Sequence, residues 1–261
     1  MKKLILLLLN LFLFFNFLNA QIAGKFGINR SFVNSYGNVE ENESVKSTGG
    51  IQAGFLFKYQ VSYKIDLLAE INFETRGASS YKKFSSIVPI ISPTGETFIG
   101  TLIRSDELIS KYYFINIPVL FAYGNKKIKF YAGPNMAWVL KATSEYSGTN
   151  RTDFMGNIIH INDRKLNLDL LDIESLKELF GDAVIERGKY INNVDFGINV
   201  GALFYLHESL CLDFRINQGL VDMTNNAYDF SIHSSDNLTF PERKDIDRNF
   251  SIQLSVGYFL D

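Results

Sequence analysis

From Ile22 onward, apolar and polar positions alternate with a period of two along most of the chain. The last segment shows it most plainly. Phe250, Ile252, Leu254, Val256, Tyr258 and Leu260 fall on one face, and Asn249, Ser251, Gln253, Ser255 and Gly257 on the other. A helix would spread both sets around its circumference, whereas a strand separates them. The same alternation runs through 22–33, 51–61, 65–74, 113–123, 128–140, 194–204 and 210–217. The pattern therefore predicts eight strands, each able to supply the ~9–11 residues of a tilted membrane-crossing strand.

The spacing between strands adds a second rhythm. Strands two and three meet at Val61–Lys64, four and five at Gly124–Lys127, and six and seven at His207–Ser209, all short hairpin turns. The other connections, at about 34–48, 77–111, 142–190 and 219–248, read as long loops. Short turns at one end and long loops at the other are the layout of outer-membrane barrels. The prediction is an all-β, eight-stranded, antiparallel up-and-down transmembrane β-barrel with short periplasmic turns and long external loops. Its first strand must pair with its eighth, because an open sheet edge leaves backbone groups unsatisfied in hydrocarbon.

The polar face supports a membrane rather than a soluble barrel. A soluble barrel turns its apolar face inward and its charges out. Here the polar face is rich in Gly, Asn, Ser and Gln, as the narrow lumen of a small barrel requires. It also carries charges of both signs: Lys25, Lys58, Asp66, Glu70, Glu74, Lys129, Asp195, Asp213 and Arg215. Tyr59, Tyr113, Tyr123, Trp138 and Tyr258 lie near strand ends, where an aromatic girdle sits. Unpaired charge in a water-poor interior is costly. The inward charges are therefore expected to form one mixed-sign network of Glu70, Arg215, Asp213 and Lys129, centred on Glu70 and Arg215.

Ahead of the alternating region, Met1-Lys2-Lys3 precedes an apolar run from Leu4 to Leu18 and a small residue at Ala20. This is a signal peptide over 1–20, leaving 21–261 as the barrel domain. Residue 21 is Gln, so no lipidated N-terminus is expected. No later run reaches 18 apolar residues, so no transmembrane helix is expected to follow. Composition narrows the class further: 46% hydrophobic and 21% charged residues exclude a disordered chain, and a net charge of −2 argues against nucleic-acid binding. The single cysteine, Cys211, has no partner for an internal disulfide and reads as a small buried residue.

Several stretches resemble the PorT-like outer-membrane β-barrel family of Bacteroidetes-type bacteria. These are Leu67–Phe73 followed by Arg76-Gly77, then Tyr113–Leu120 with its Ile-Pro, and Phe130–Pro134 with its Ala-Gly-Pro. Asp195–Ile198 and Val256–Phe259 extend the likeness, while the terminal Asp261 departs from the aromatic end usual for such barrels. The resemblance implies a location in the bacterial outer membrane. The family's namesake is tied to protease secretion, but the family defines no catalytic residues to carry over.

Chemistry-bearing residues are sparse. His160 and His233 fall in long loops and His207 in a short turn, and Asp229, His233 and Asp236 are near one another in sequence. Such residues are ordinary in loops, and no pairing with a nucleophile is visible. No metal, nucleotide or redox motif appears, so no catalytic residue, metal or cofactor is assigned. Asp172–Gly181 reads as a helix within the third long loop, N-capped by Asp172. The expected function is a non-enzymatic barrel, structural or accessory to envelope export. Its partners would be outer-membrane lipid and other envelope or secretion proteins. The alternatives are a surface binding or adhesion module acting through its loops and, last, a rim-located enzyme.

Overall fold

The structure, a computed structural model, describes residues 20–36, 43–91, 94–154, 157–172, 174–175, 191–224 and 246–260. The described residues form nine strands: β1 (Gln21–Tyr36), β2 (Glu43–Gln60), β3 (Ile65–Ile91), β4 (Thr97–Gly124), β5 (Ile128–Phe154), β6 (Asn157–Asp169), β7 (Val194–His207), β8 (Leu210–Gly219) and β9 (Ile246–Leu260). Eight of them close into a ring in the order β1-β2-β3-β4-β5-β7-β8-β9, every pair antiparallel. The ring closes through β1 and β9, paired from Ile22↔Leu260 to Tyr36↔Ile246. Among the described residues the ring leaves no open strand edge, which is the condition hydrocarbon imposes.

Alternation sorts the side chains as the pattern predicts. Phe26, Ile28, Phe55, Phe121, Phe130, Leu254 and Tyr258 are exposed on the outer wall. Between them, Lys25, Asn29, Asp66, Glu70, Asn116, Asp213, Arg215 and Gln253 are buried in the lumen. A soluble protein would not present so much contiguous apolar surface to water. The apolar band on β4 runs from Tyr123 at the short-turn end to Tyr113, about 25 Å in height. At its upper limit, the β4–β5 register slips by one between Tyr113 and Phe114. That bulge turns both Leu140 and Lys141 outward and re-aims the strand as it leaves the membrane.

The long connections differ from the loop reading. β3 and β4 remain paired from Gly77↔Lys111 to Ile91↔Thr97. β5 continues to Phe154, and β6 pairs back along it from Thr143↔Asp169 to Phe154↔Asn157. Most of 77–111 and of 142–169 is thus a four-stranded sheet standing above the ring. Pairing satisfies backbone groups that an irregular excursion would leave to water. Much of the helix expected at 172–181 lies outside the described residues. The Asp172 carboxylate accepts a hydrogen bond from the Glu174 amide at 3.1 Å. The proposed leader up to Asn19, and Asp229, His233 and Asp236, also lie outside the described residues.

Candidate functional site

The candidate site is the lumen, filled in layers. Near the short turns, Leu56, Leu68, Leu120, Leu203 and Phe259 pack with Ala23, Ala122 and Cys211 into an apolar floor. The Lys58 ammonium covers the floor at 4.6 Å from the Phe259 ring and 5.1 Å from that of Tyr205. Near the external mouth, Phe114, Tyr112, Val139 and Leu108 pack with Leu168, Leu170, Ile191 and Met223 into a roof. Leu168 arrives on the returning β6, and Ile191 of the same cluster bridges to Thr224.

Charge fills the space between floor and roof. Arg215, projecting inward from β8, grips Glu70 of β3 through two parallel bonds of 2.9 and 2.6 Å, Nη1 to Oε2 and Nη2 to Oε1. This forked, charge-assisted geometry adds both strength and orientation to the pair. Lys25 reaches the same Glu70 at 3.1 Å and also donates to Asp213, which Arg215 contacts at 3.1 Å. The Tyr131 hydroxyl donates to Asp213 and accepts from Arg215 Nε at 3.0 Å, while Asn72 donates to Glu70 at 2.7 Å. Two cations and two carboxylates, all with nearly fully buried side chains, therefore balance to zero. Gly201 makes this possible, because a Cβ there would stand 2.4 Å from the Tyr131 hydroxyl.

A second cluster lies nearer the roof. Arg76 pairs with Glu74 at 2.5 Å and lies 3.6 Å from Asp195, its guanidinium 5.2 Å from the centre of the Phe114 ring. Gln253 donates across the lumen to Glu74 at 3.0 Å, and Asn249 to Asp195 at 3.1 Å. Asn135, Asn116, Asn217 and Asn199 link β4, β5, β7 and β8 through side-chain amide hydrogen bonds of 2.8 to 3.0 Å. Above the membrane, Arg104, Asp106 and Tyr146 form a third cluster, with Tyr146 donating to Asp106 at 2.8 Å. Burial, then the neighbouring Asp106 charge, pushes the Tyr146 phenol up from its ordinary value.

Of the four residues expected to share one network, the structure brings Glu70, Arg215 and Asp213 together and leaves Lys129 out. Lys129 pairs instead with Asp66 at 2.6 Å, nearer the short turns. Its place is taken by Lys25, and Tyr131 joins without any charge to advertise it. Arg76 also escaped the sequence reading, although its spacing of two from Glu74 puts both on the inner face. His207 is exposed at the end of β7, and His160 lies in β6. Among the described residues, no group of three or more His, Cys, Asp or Glu could hold a metal ion.

The outer membrane protein beta-barrel domain family matches residues 15–225. Among solved structures, the chain is similar to Ail, the attachment invasion locus protein of Yersinia pestis, in complex with the heparin analogue sucrose octasulfate. Identity is 10%, covering 92% of this chain and 99% of that one, with a TM-score of 0.37. It is similar to Neisserial surface protein A at 10% identity, covering 92% and 97%, with a TM-score of 0.39. It is also similar to OprG of Pseudomonas aeruginosa at 7% identity, covering 92% and 96%, with a TM-score of 0.34. No curated protein matches the chain. By the family match and its closed, apolar-walled ring, this chain belongs to the outer membrane protein beta-barrel domain family and resides in the bacterial outer membrane.

Proposed function

We propose that the protein is a non-enzymatic, PorT-like barrel, structural or accessory to envelope export, with residues 1–20 as its export leader and 21–261 as its barrel domain. The observation that carries this reading is the filled lumen. Apolar floor, neutral charge quartet and apolar roof follow one another along the axis. An eight-stranded ring is just wide enough for side chains to fill, so it suits a rigid mount better than a conduit. What it mounts is the external sheet, which would meet other envelope or secretion proteins.

The test pairs two measurements on the full-length protein. Purified barrel in planar bilayers should show no unitary conductance steps; regular steps would overturn the sealed lumen. Barrel affinity-purified from native outer membranes should retain specific envelope or secretion subunits, and lose them when 84–104 is replaced by a two-residue turn. Retention of no such subunit would overturn the accessory role.

One observation favours a second reading, a surface binding module. Ile87, Ile91 and Ile99 near the end of the β3–β4 hairpin are 78%, 72% and 75% exposed, far above the lipid-facing band. Apolar side chains held in water at that height suit contact with another surface. Binding of cells to surfaces that falls on Ile87→Ser and Ile99→Ser, with subunit retention unchanged, would favour this reading over the first.

A further inference from the structure

Most glycines of the ring have a steric reason. A Cβ at Gly27 would lie 2.4 Å from the Leu254 carbonyl oxygen, and one at Gly54 would lie 2.2 Å from that of Ile71. Gly95, with φ of +84°, sits in a turn that requires it. Among the described residues, two glycines have neither reason. A Cβ at Gly24 or at Gly49 meets nothing within 4 Å, and neither has a left-handed backbone. Both point from the outer wall towards lipid. Glycine within a strand costs roughly 0.5–1 kcal/mol relative to alanine, so the protein's own packing does not explain them.

Each floors a recess on the face made by β9, β1 and β2. The lower one, about 570 Å³, lies between Phe55, Phe26 and Tyr258. The upper one, about 340 Å³, lies between Ile28, Ile252 and Leu254, and ends at Arg30. Arg30 points outward, nine residues above the short-turn end of β1, or roughly 30 Å along the strand. Phe32 and Phe250 pair just above it, ring centres 4.8 Å apart, as aromatic residues do in the girdles that flank a barrel's apolar band. Its Nε donates to Ser47 Oγ at 2.6 Å, which fixes the guanidinium over the mouth of the recess. An apolar slot ending in a positioned cation at the headgroup level is complementary to one kind of molecule.

We propose that this face binds a single outer-leaflet lipid bearing an anionic phosphate headgroup. The phosphate rests on Arg30, and an acyl chain lies in the recess over Gly49. Guanidinium binds phosphate through forked, charge-assisted bonds. The apolar walls of the recess bury the chain, which a side chain at position 49 would displace.

Native mass spectrometry of the detergent-solubilised barrel tests this with two lipids of equal acyl length, dipalmitoyl phosphatidylglycerol and dipalmitoylglycerol. One phosphatidylglycerol should remain per barrel at concentrations where dipalmitoylglycerol does not. Arg30→Gln should lower that retention about tenfold, the size of one charge-assisted hydrogen bond, and Gly49→Leu, which fills the recess, should lower it as well. Val200→Leu on the opposite wall should leave it unchanged. Heat-dependent gel mobility shows that each variant is folded; were Gly49→Leu not to fold, Gly49→Ala and Arg30→Gln carry the test. Equal retention of the two lipids, or retention unaffected by Arg30→Gln, overturns the proposal. Displacement of the lipid by millimolar inorganic phosphate also overturns it, since the site would then be one for a free anion.

Discussion

Removing one member of the lumen quartet should cost more than its contacts suggest, because the quartet is neutral only as a whole. Glu70→Gln leaves Lys25 and Arg215 facing Asp213 alone. Arg215→Met leaves Lys25 facing both carboxylates. The side chains involved are 1–2% exposed, so water does little to screen the imbalance. Stranding one buried charge is expected to destabilise the barrel by about 3–5 kcal/mol in either single variant. The double variant keeps the Lys25–Asp213 pair and restores neutrality, so its loss should fall short of the sum by about 2–3 kcal/mol. Urea unfolding in phosphatidylcholine vesicles measures this through Trp138, the only tryptophan, with the slope held constant as a check on the folded state. Lys129→Met provides the internal control. It breaks the separate pair with Asp66 and should combine additively with Glu70→Gln. Additivity of Glu70→Gln and Arg215→Met within about 0.5 kcal/mol would refute the coupling, and single losses below about 1 kcal/mol would show a wet lumen.

Four further outcomes follow from the same geometry. Gly201→Ala should push Tyr131 away from Asp213 and Arg215 and destabilise by about 1–3 kcal/mol, read by the same unfolding assay. Leu168→Ala should open a cavity in the roof and lower stability by about 2–5 kcal/mol. The raised Tyr146 phenol holds its proton more tightly in the folded state, so its stabilisation is complete below the ordinary value of 10.0 and is lost as pH rises through the folded one. A wild-type urea midpoint that falls above pH 10, and falls less in Tyr146→Phe, checks that sign. Epitope tags at Asn125 and Gly148 should be hidden and accessible, respectively, on intact cells; the reverse result would invert the barrel.

The ring was legible because lipid and lumen each select every second residue. Phe250 to Leu260 could be assigned to faces one by one, and the short turns at 61–64, 124–127 and 207–209 fixed which strands neighbour which. Above the membrane that selection ends. Ser79-Ser80-Tyr81-Lys82-Lys83 and Ser105-Asp106-Glu107 meet water or polar neighbours on both faces, so their pairing left no alternation to read. The roof was missed for a related reason. Leu166, Leu168 and Leu170 do alternate, but the run is short and polar at its start, and only the return of β6 along β5 brings it over the mouth.

Site residues were legible as inward charges but not as pairs. Parity along a strand says that Lys25 and Lys129 both face the lumen; it does not say at what height. Height depends on strand tilt and register, which are properties of the closed ring. In that ring Lys25 rises to the level of Glu70 and Asp213, while Lys129 stays beside Asp66. Glycine shows the same limit from the other side. Sequence parity places Gly24 and Gly49 outward and Gly27 and Gly54 inward, yet all four look alike in composition. Only the packed wall shows that a Cβ would clash at the inward pair and meet nothing at the outward one. A glycine without a steric reason on a lipid-facing wall therefore points to what lies beyond the protein's own surface.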